Sequence, residues 1–254
     1  MTMVPVLRSE WIKVRTVLST YISLVVAFVV TVGLSAVICA VTNANWNSMP
    51  ASEKATFDAT STSFSGIYLG QLAVIVFAVL VIGNEYSSGM IRASLAAVPG
   101  RATLLAAKSL VVLGLVLPVA IATSFVSFFL GQTLLGSHKA HIGDPGVLRA
   151  VFGMALYMTL IALLSLGVGF LLRKPVLSLG LLMPFFFLIS PILRAVPKVK
   201  TVAHYFPDQA GSQLASVHQA SGIPYGPWAG FFICLLWVVA ALGFGYLLFQ
   251  RRDA

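Results

Sequence analysis

Six apolar stretches of membrane-spanning length, separated by short polar ones, dominate the chain, at about 20–41, 66–83, 107–134, 148–171, 176–194 and 226–249. A hydrocarbon layer of ~30 Å takes about 20 helical residues to cross. Uninterrupted apolar runs of that length read as membrane helices. Composition agrees: 59% of the residues are hydrophobic and only 9% charged, against roughly 25% charged in soluble domains. The expected fold class is an all-α integral membrane protein with six transmembrane helices, forming a single domain over residues 1–254.

The chain opens differently. Over residues 5–18, Leu7, Trp11, Val14 and Leu18 share one helical face, while Arg8, Glu10, Lys13 and Arg15 fall on others. That pattern predicts an amphipathic helix lying in the membrane interface, with the Trp11 indole at headgroup depth and Lys13 and Arg15 toward the polar side. The apolar stretch behind it is too long for the core of a cleavable signal peptide, so it is expected to remain as the first span.

Six spans put both termini on one side. If that side is the cytoplasm, it receives ten of the 16 basic residues, among them Arg8, Arg92, Arg101, Arg173, Lys174, Arg251 and Arg252. The positive-inside rule therefore favours cytoplasmic termini. The formal charge of +9 is then accounted for by anchoring at the membrane, and no basic run interleaved with aromatics points to nucleic acid.

Gly66 and Gly70 open the second span at a spacing that lets two helices approach closely. Pro118 lies inside the third span, and Pro184 with Pro191 predicts a bend or break near the outer end of the fifth. Cys39 and Cys234 fall in spans and read as small apolar side chains. The polar stretches at 42–65, 135–147 and 195–225 are read as loops.

Several activities lack their residues. The interiors of the six spans hold no Asp, Glu, Lys, Arg or His, whereas a proton-coupled carrier needs such a group at depth. There is no HExxH pair and no phosphate loop of the GxxxxGK[ST] kind. His204 and Asp208, four residues apart, supply two potential metal ligands without a third. No metal site, catalytic residue or cofactor is expected in the chain, and it is not expected to be an enzyme. A nucleotide engine for driven transport would have to be another subunit.

The stretch after the second span is the most distinctive. It reads Gly83-Asn84-Glu85-Tyr86-Ser87-Ser88-Gly89-Met90-Ile91-Arg92, continues through Leu95 to Pro99-Gly100-Arg101, and reaches Leu104-Leu105 and Lys108. A carboxylate near a helix start, a glycine that permits a turn and three basic residues suit a cytoplasmic docking segment over 84–106. The pattern of Glu85, Gly89, Arg92, Pro99, Arg101 and Lys108 resembles the permease subunit of the ABC type-2 transporter family. The opening Glu10-Trp11-Ile12-Lys13-x-Arg15 resembles that family's amphipathic first helix, and the Arg251-Arg252 ending its cytoplasmic tail. Position 90 departs, carrying Met where family members often have Thr.

The resemblance implies a membrane subunit of an ATP-driven exporter in a bacterial inner membrane, moving a hydrophobic or amphipathic compound such as an antibiotic, peptide or lipid. It implies a second permease subunit, separate ABC ATP-binding subunits that hold ATP and Mg, and surrounding membrane lipids. Glu85, Tyr86, Ser87, Gly89, Met90, Arg92 and Arg101 would receive the stroke of the ATP-binding subunit, flanked by the helix of Trp11, Lys13 and Arg15. The alternatives are a non-transporting assembly or sensory subunit and, further off, a membrane-embedded enzyme.

Overall fold

A computed structural model describes residues 3–98, 100–218 and 222–251. The elements run α1 (Met3–Thr16), α2 (Leu18–Ala44), α3 (Ala51–Ala55), α4 (Ala59–Ser63), α5 (Ile67–Ser87), α6 (Met90–Ala97), α7 (Arg101–Leu135), α8 (Val147–Leu172), α9 (Pro175–Pro184), α10 (Ser190–Ala195), α11 (Lys200–Ala203), α12 (Pro207–Ser212) and α13 (Pro227–Arg251). No strand occurs among the described residues. Six helical segments are long and apolar enough to cross a membrane: α2, α5, α7, α8, the segment Pro175–Ala195, and α13. The chain is an all-α, multi-pass membrane protein.

Helix α8 is the axis of the bundle. It packs against α5, α7, α9 and α13, while α2 closes over α5 and α7. Its buried residues occur all around the helix, from Val147 to Phe170, as expected of a helix enclosed by others. By contrast α2, α9 and α13 each keep an exposed apolar face, including Val25, Val29, Leu177, Leu181, Leu236 and Phe244. In a lipid solvent those faces need no protein cover.

Close helix contact relies on small residues. A Cβ on Gly66 would lie 2.0 Å from the Thr31 carbonyl oxygen, and one on Gly70 1.7 Å from Thr31 Oγ1. The Gly66/Gly70 spacing therefore seats α5 on α2 within the chain. At Gly66 the backbone N–H also donates to Ser35 Oγ at 3.0 Å.

Three sequence expectations need correction in detail. The helix of the second span runs on to Ser87, so Glu85, Tyr86 and Ser87 are its last turn rather than part of a polar connector. Helix α7 starts at Arg101 and is 35 residues long, roughly 50 Å at 1.5 Å per residue. Several of its turns must stand outside a ~30 Å hydrocarbon layer. The connector at 195–225 is not a surface loop throughout: Pro207–Gly211 and Gln213–Ala215 are buried. That segment wedges between α8 and α13, where a Cβ at Gly153 or Gly230 would strike the carbonyls of Leu214 and Ala210. Arg149 holds it by donating to the carbonyls of Leu214 (3.1 Å) and Ser216 (2.9 Å). Irregular backbone buried in the protein rather than in lipid satisfies its polar groups in this way.

The prolines of the fifth span act as expected. Pro184 ends α9, a π-helical turn follows at Phe185–Ile189, and α10 resumes with Pro191 in its first turn. Pro118 is accommodated within a continuous α7. Cys39 and Cys234 are both buried and free.

Candidate functional site

The end of the bundle that carries both ends of the described chain gathers α1, the last turn of α5, α6 and the first turns of α7. Gly89 takes φ 72° and ψ 1° between α5 and α6, a left-handed conformation that glycine adopts without steric cost. The chain thereby reverses in two residues and lays α6 beside α5. Ile91 and Ser94 of α6 face inward, whereas Ser87, Ser88, Gly89, Met90 and Arg92 are exposed.

Four charges meet beneath this turn. Lys108 Nζ donates to Glu10 Oε2 at 2.6 Å and to Glu85 Oε1 at 2.7 Å. Lys13 Nζ donates to Glu10 Oε1 at 2.6 Å, to Glu85 Oε1 at 3.0 Å and to Ser94 Oγ at 2.9 Å. Each carboxylate thus lies between two ammonium groups, and the four side chains sum to zero charge. Glu10 and Lys108 are each 1% exposed and Glu85 is 3% exposed. Ions so removed from water persist only when paired and hydrogen-bonded. The cluster ties α1, α5, α6 and α7 into one unit. Burial pulls the Lys13 ammonium down, but hydrogen bonds and charge from Glu10 and Glu85 prevail and leave its pKa above the ordinary 10.5.

The same end carries a second layer of cations. Arg101 donates to the carbonyls of Phe249 and Gln250, the latter at 2.9 Å, with its guanidinium 5.5 Å from the centre of the Phe249 ring. Arg173 donates to the Leu248 carbonyl at 3.2 Å and sits 5.4 Å from the centre of the Tyr86 ring. Both satisfy carbonyls at the C-terminus of α13, where a cation also suits the helix dipole.

Of the residues singled out from sequence, Glu85 and Lys13 meet in the cluster, Tyr86 lies beside it under Arg173, and Gly89 makes the turn. Ser87, Met90 and Arg92 are presented on its exposed side. Arg101 belongs to the second layer, on α13 rather than on the cluster. Trp11 and Arg15 are exposed on α1, away from its buried face. Pro99 and Arg252 lie outside the described residues. The face that α1 packs into the protein is Val6, Glu10 and Val14, so of the Leu7/Trp11/Val14/Leu18 stripe only Val14 is buried there, and Leu18 already belongs to α2.

Sequence reasoning missed Glu10 as a site residue and Lys108 as a buried one. The signal was present in both cases: Glu10 stands at i, i+4 spacing between Val6 and Val14, and Lys108 is a lone charge in an apolar run. An unaccompanied charge on an apolar face implies a partner.

Among the described residues no group of three or more His, Cys, Asp or Glu side chains could hold a metal ion. Against models of known protein families, residues 6–190 match the family described as "ABC-2 family transporter protein". No curated protein matches the chain.

Proposed function

The chain belongs to the ABC-2 transporter family, and on that premise we propose that it is the permease of an ATP-driven exporter, working as a dimer with separate ATP-binding subunits. In this reading the termini are cytoplasmic, the membrane is a bacterial inner membrane, and ATP with Mg stays on the partner. The chain itself catalyses no reaction. The cargo is a hydrophobic or amphipathic compound of the antibiotic, peptide or lipid kind.

The observation that carries the reading is the charge cluster under the α5–α6 turn. A force applied to the exposed residues Ser87 to Arg92 passes into Glu85 and from there to Lys108 on α7 and Lys13 on α1. Salt bridges of 2.6–3.0 Å make the connection short, and the burial of the Lys108 pairs keeps salt and water from screening them. Lys108 begins the stretch of α7 that crosses the bilayer and packs against α8. A push on the turn thereby reaches the central helix of the bundle. The role of Glu85 is positioning: it joins the receiving turn to the moving helix.

Two measurements test this. Affinity purification of the tagged chain from its native membrane should bring down a soluble subunit with a phosphate loop. Glu85→Gln, which keeps shape and removes charge, should insert normally yet lower transport-coupled ATP turnover at least tenfold. Complexes that never contain a nucleotide hydrolase would remove the foundation of the proposal.

A further inference from the structure

Helix α1 packs one face into the protein and leaves the opposite one uncovered. The uncovered face falls into columns of residues seven apart, nearly two turns of helix. Val4 and Trp11 form one column and Arg8 with Arg15 the next, all four exposed; Ile12, also exposed, stands beyond the arginines. Basic side chains therefore lie between apolar ones on a single surface. Arg8 and Arg15 make no ion pair or hydrogen bond among the described residues.

No carboxylate at this end of the bundle is left for them. Glu10 and Glu85 are taken up by Lys13 and Lys108. The other described acids, Glu53, Asp58, Asp144 and Asp208, sit on the connectors of the opposite end. Anions for the two arginines must come from outside the chain.

The depth of α1 says which anions it meets. Helices α2 and α7 pack side by side and run in the same direction. A Cβ on Gly131 of α7 would lie 3.1 Å from Cys39 Sγ of α2. The same number of residues back along each helix reaches Leu18, the first residue of α2, and Leu110, within a turn of Lys108. The salt bridge of Lys108 to Glu10 thus holds α1 at the level where the first span begins. Only Val17, in an extended conformation, separates α1 from α2. Past it, Leu18, Ile22 and Val25 continue an uncovered apolar surface on α2. The outward face of α1 is therefore continuous with one that faces lipid.

We infer that this face is a binding surface for anionic phospholipids, with Arg8 and Arg15 each holding a headgroup phosphate while Val4 and Trp11 rest on the acyl chains beneath. A membrane surface is the partner whose anions lie directly above a hydrocarbon layer, which matches basic residues set among apolar ones. Guanidinium groups take phosphate through two parallel hydrogen bonds. The arginines are about 10 Å apart along the helix, so each takes its own lipid. The ion-pair cluster fixes the opposite face of α1, so lipid held here is held against the cluster. The inference does not depend on the exporter reading.

The test is native mass spectrometry of the full chain, given equal amounts of phosphatidylglycerol and phosphatidylcholine with identical acyl chains. The wild-type chain should retain the anionic lipid roughly tenfold better, from two basic residues at a membrane surface. Arg8→Gln with Arg15→Gln should reduce that preference to near parity. Lys139→Gln with Lys198→Gln removes the same charge from exposed positions at the opposite end and should leave it in place. Equal retention of the two lipids by the wild-type chain would overturn the site, and that comparison needs no variant to fold. So would a preference that survives the double arginine change, or one lost equally in the lysine pair. If the arginine pair keeps its lipid preference but no longer brings down an ATP-binding subunit, the face docks protein and the lipid assignment is wrong.

Discussion

At the scale of single residues, the two ends of the bundle treat buried charge in opposite ways. Glu10, Lys13, Glu85 and Lys108 neutralise one another. Removing one partner strands the others, so Lys108→Ala should lower stability by about 3–5 kcal/mol, read as a loss of thermal unfolding temperature in detergent. The Lys13 contribution has a definite pH window. Its pKa is raised on folding, so its stabilisation is complete below the unfolded value of about 10.5 and is lost as pH rises through the higher folded value. Stability should therefore be indifferent to Lys13 titration across neutral pH and fall only in strong alkali, with Lys13→Met abolishing that alkaline step. Asp208 follows the same sign for a different cause. Burial raises its pKa above 3.8, so the folded state takes up the proton first, and stability declines as pH rises from the unfolded value through the folded one. Asp208→Asn should flatten that slope in an unfolding titration.

At the scale of elements, glycines separate contact from conformation. Gly70→Ala would drive a Cβ into Thr31 and should cost about 1–3 kcal/mol, typical of overpacking. Gly33, on the same α2 but with nothing within 4 Å of its Cβ position, should accept Ala with no loss and a gain of roughly 0.5–1 kcal/mol from helix propensity. Denaturation midpoints of the two variants would distinguish them directly. At Gly89 the space is also open but φ is positive. Gly89→Ala should then cost about 1–2 kcal/mol through backbone strain alone, and Gly89→Asn less. The element boundaries explain why the turn needs glycine at all: α5 continues to Ser87 and α6 starts at Met90, leaving two residues in which to reverse.

At the scale of the whole molecule, the orientation in the membrane decides whether the α5–α6 turn can meet a cytosolic partner. Ser88 is exposed at that turn. With the termini in the cytoplasm, a cysteine introduced there should resist an impermeant thiol reagent in intact cells and react after permeabilisation. Labelling of intact cells would invert the bundle and remove the proposed coupling. The apolar faces of α2, α9 and α13 are compatible with lipid or with a second permease. Cross-linking of cysteines placed at Val25 and Leu236 in membranes should tell which of them meets another copy.

The number of spans and their helical nature were determined by the sequence alone, because a hydrocarbon solvent demands long apolar helices and penalises every other backbone arrangement. That Glu85 and Gly89 stand apart was legible for a related reason: a charge and a glycine in those positions break the apolar pattern, and the structure puts the first in an ion-pair cluster and the second in a left-handed turn. Tertiary structure alone decided the partners. Glu10, Glu85 and Lys108 are far apart along the chain, and a periodic pattern reports which face of a helix is apolar, not which neighbour that face will meet. The buried segment 207–215 escaped sequence reading on the same ground. Its Pro, Gly, Gln and Ser residues have the composition of a surface loop, and only the gaps left by Gly153 on α8 and Gly230 on α13, together with the carbonyl grip of Arg149, draw it into the bundle.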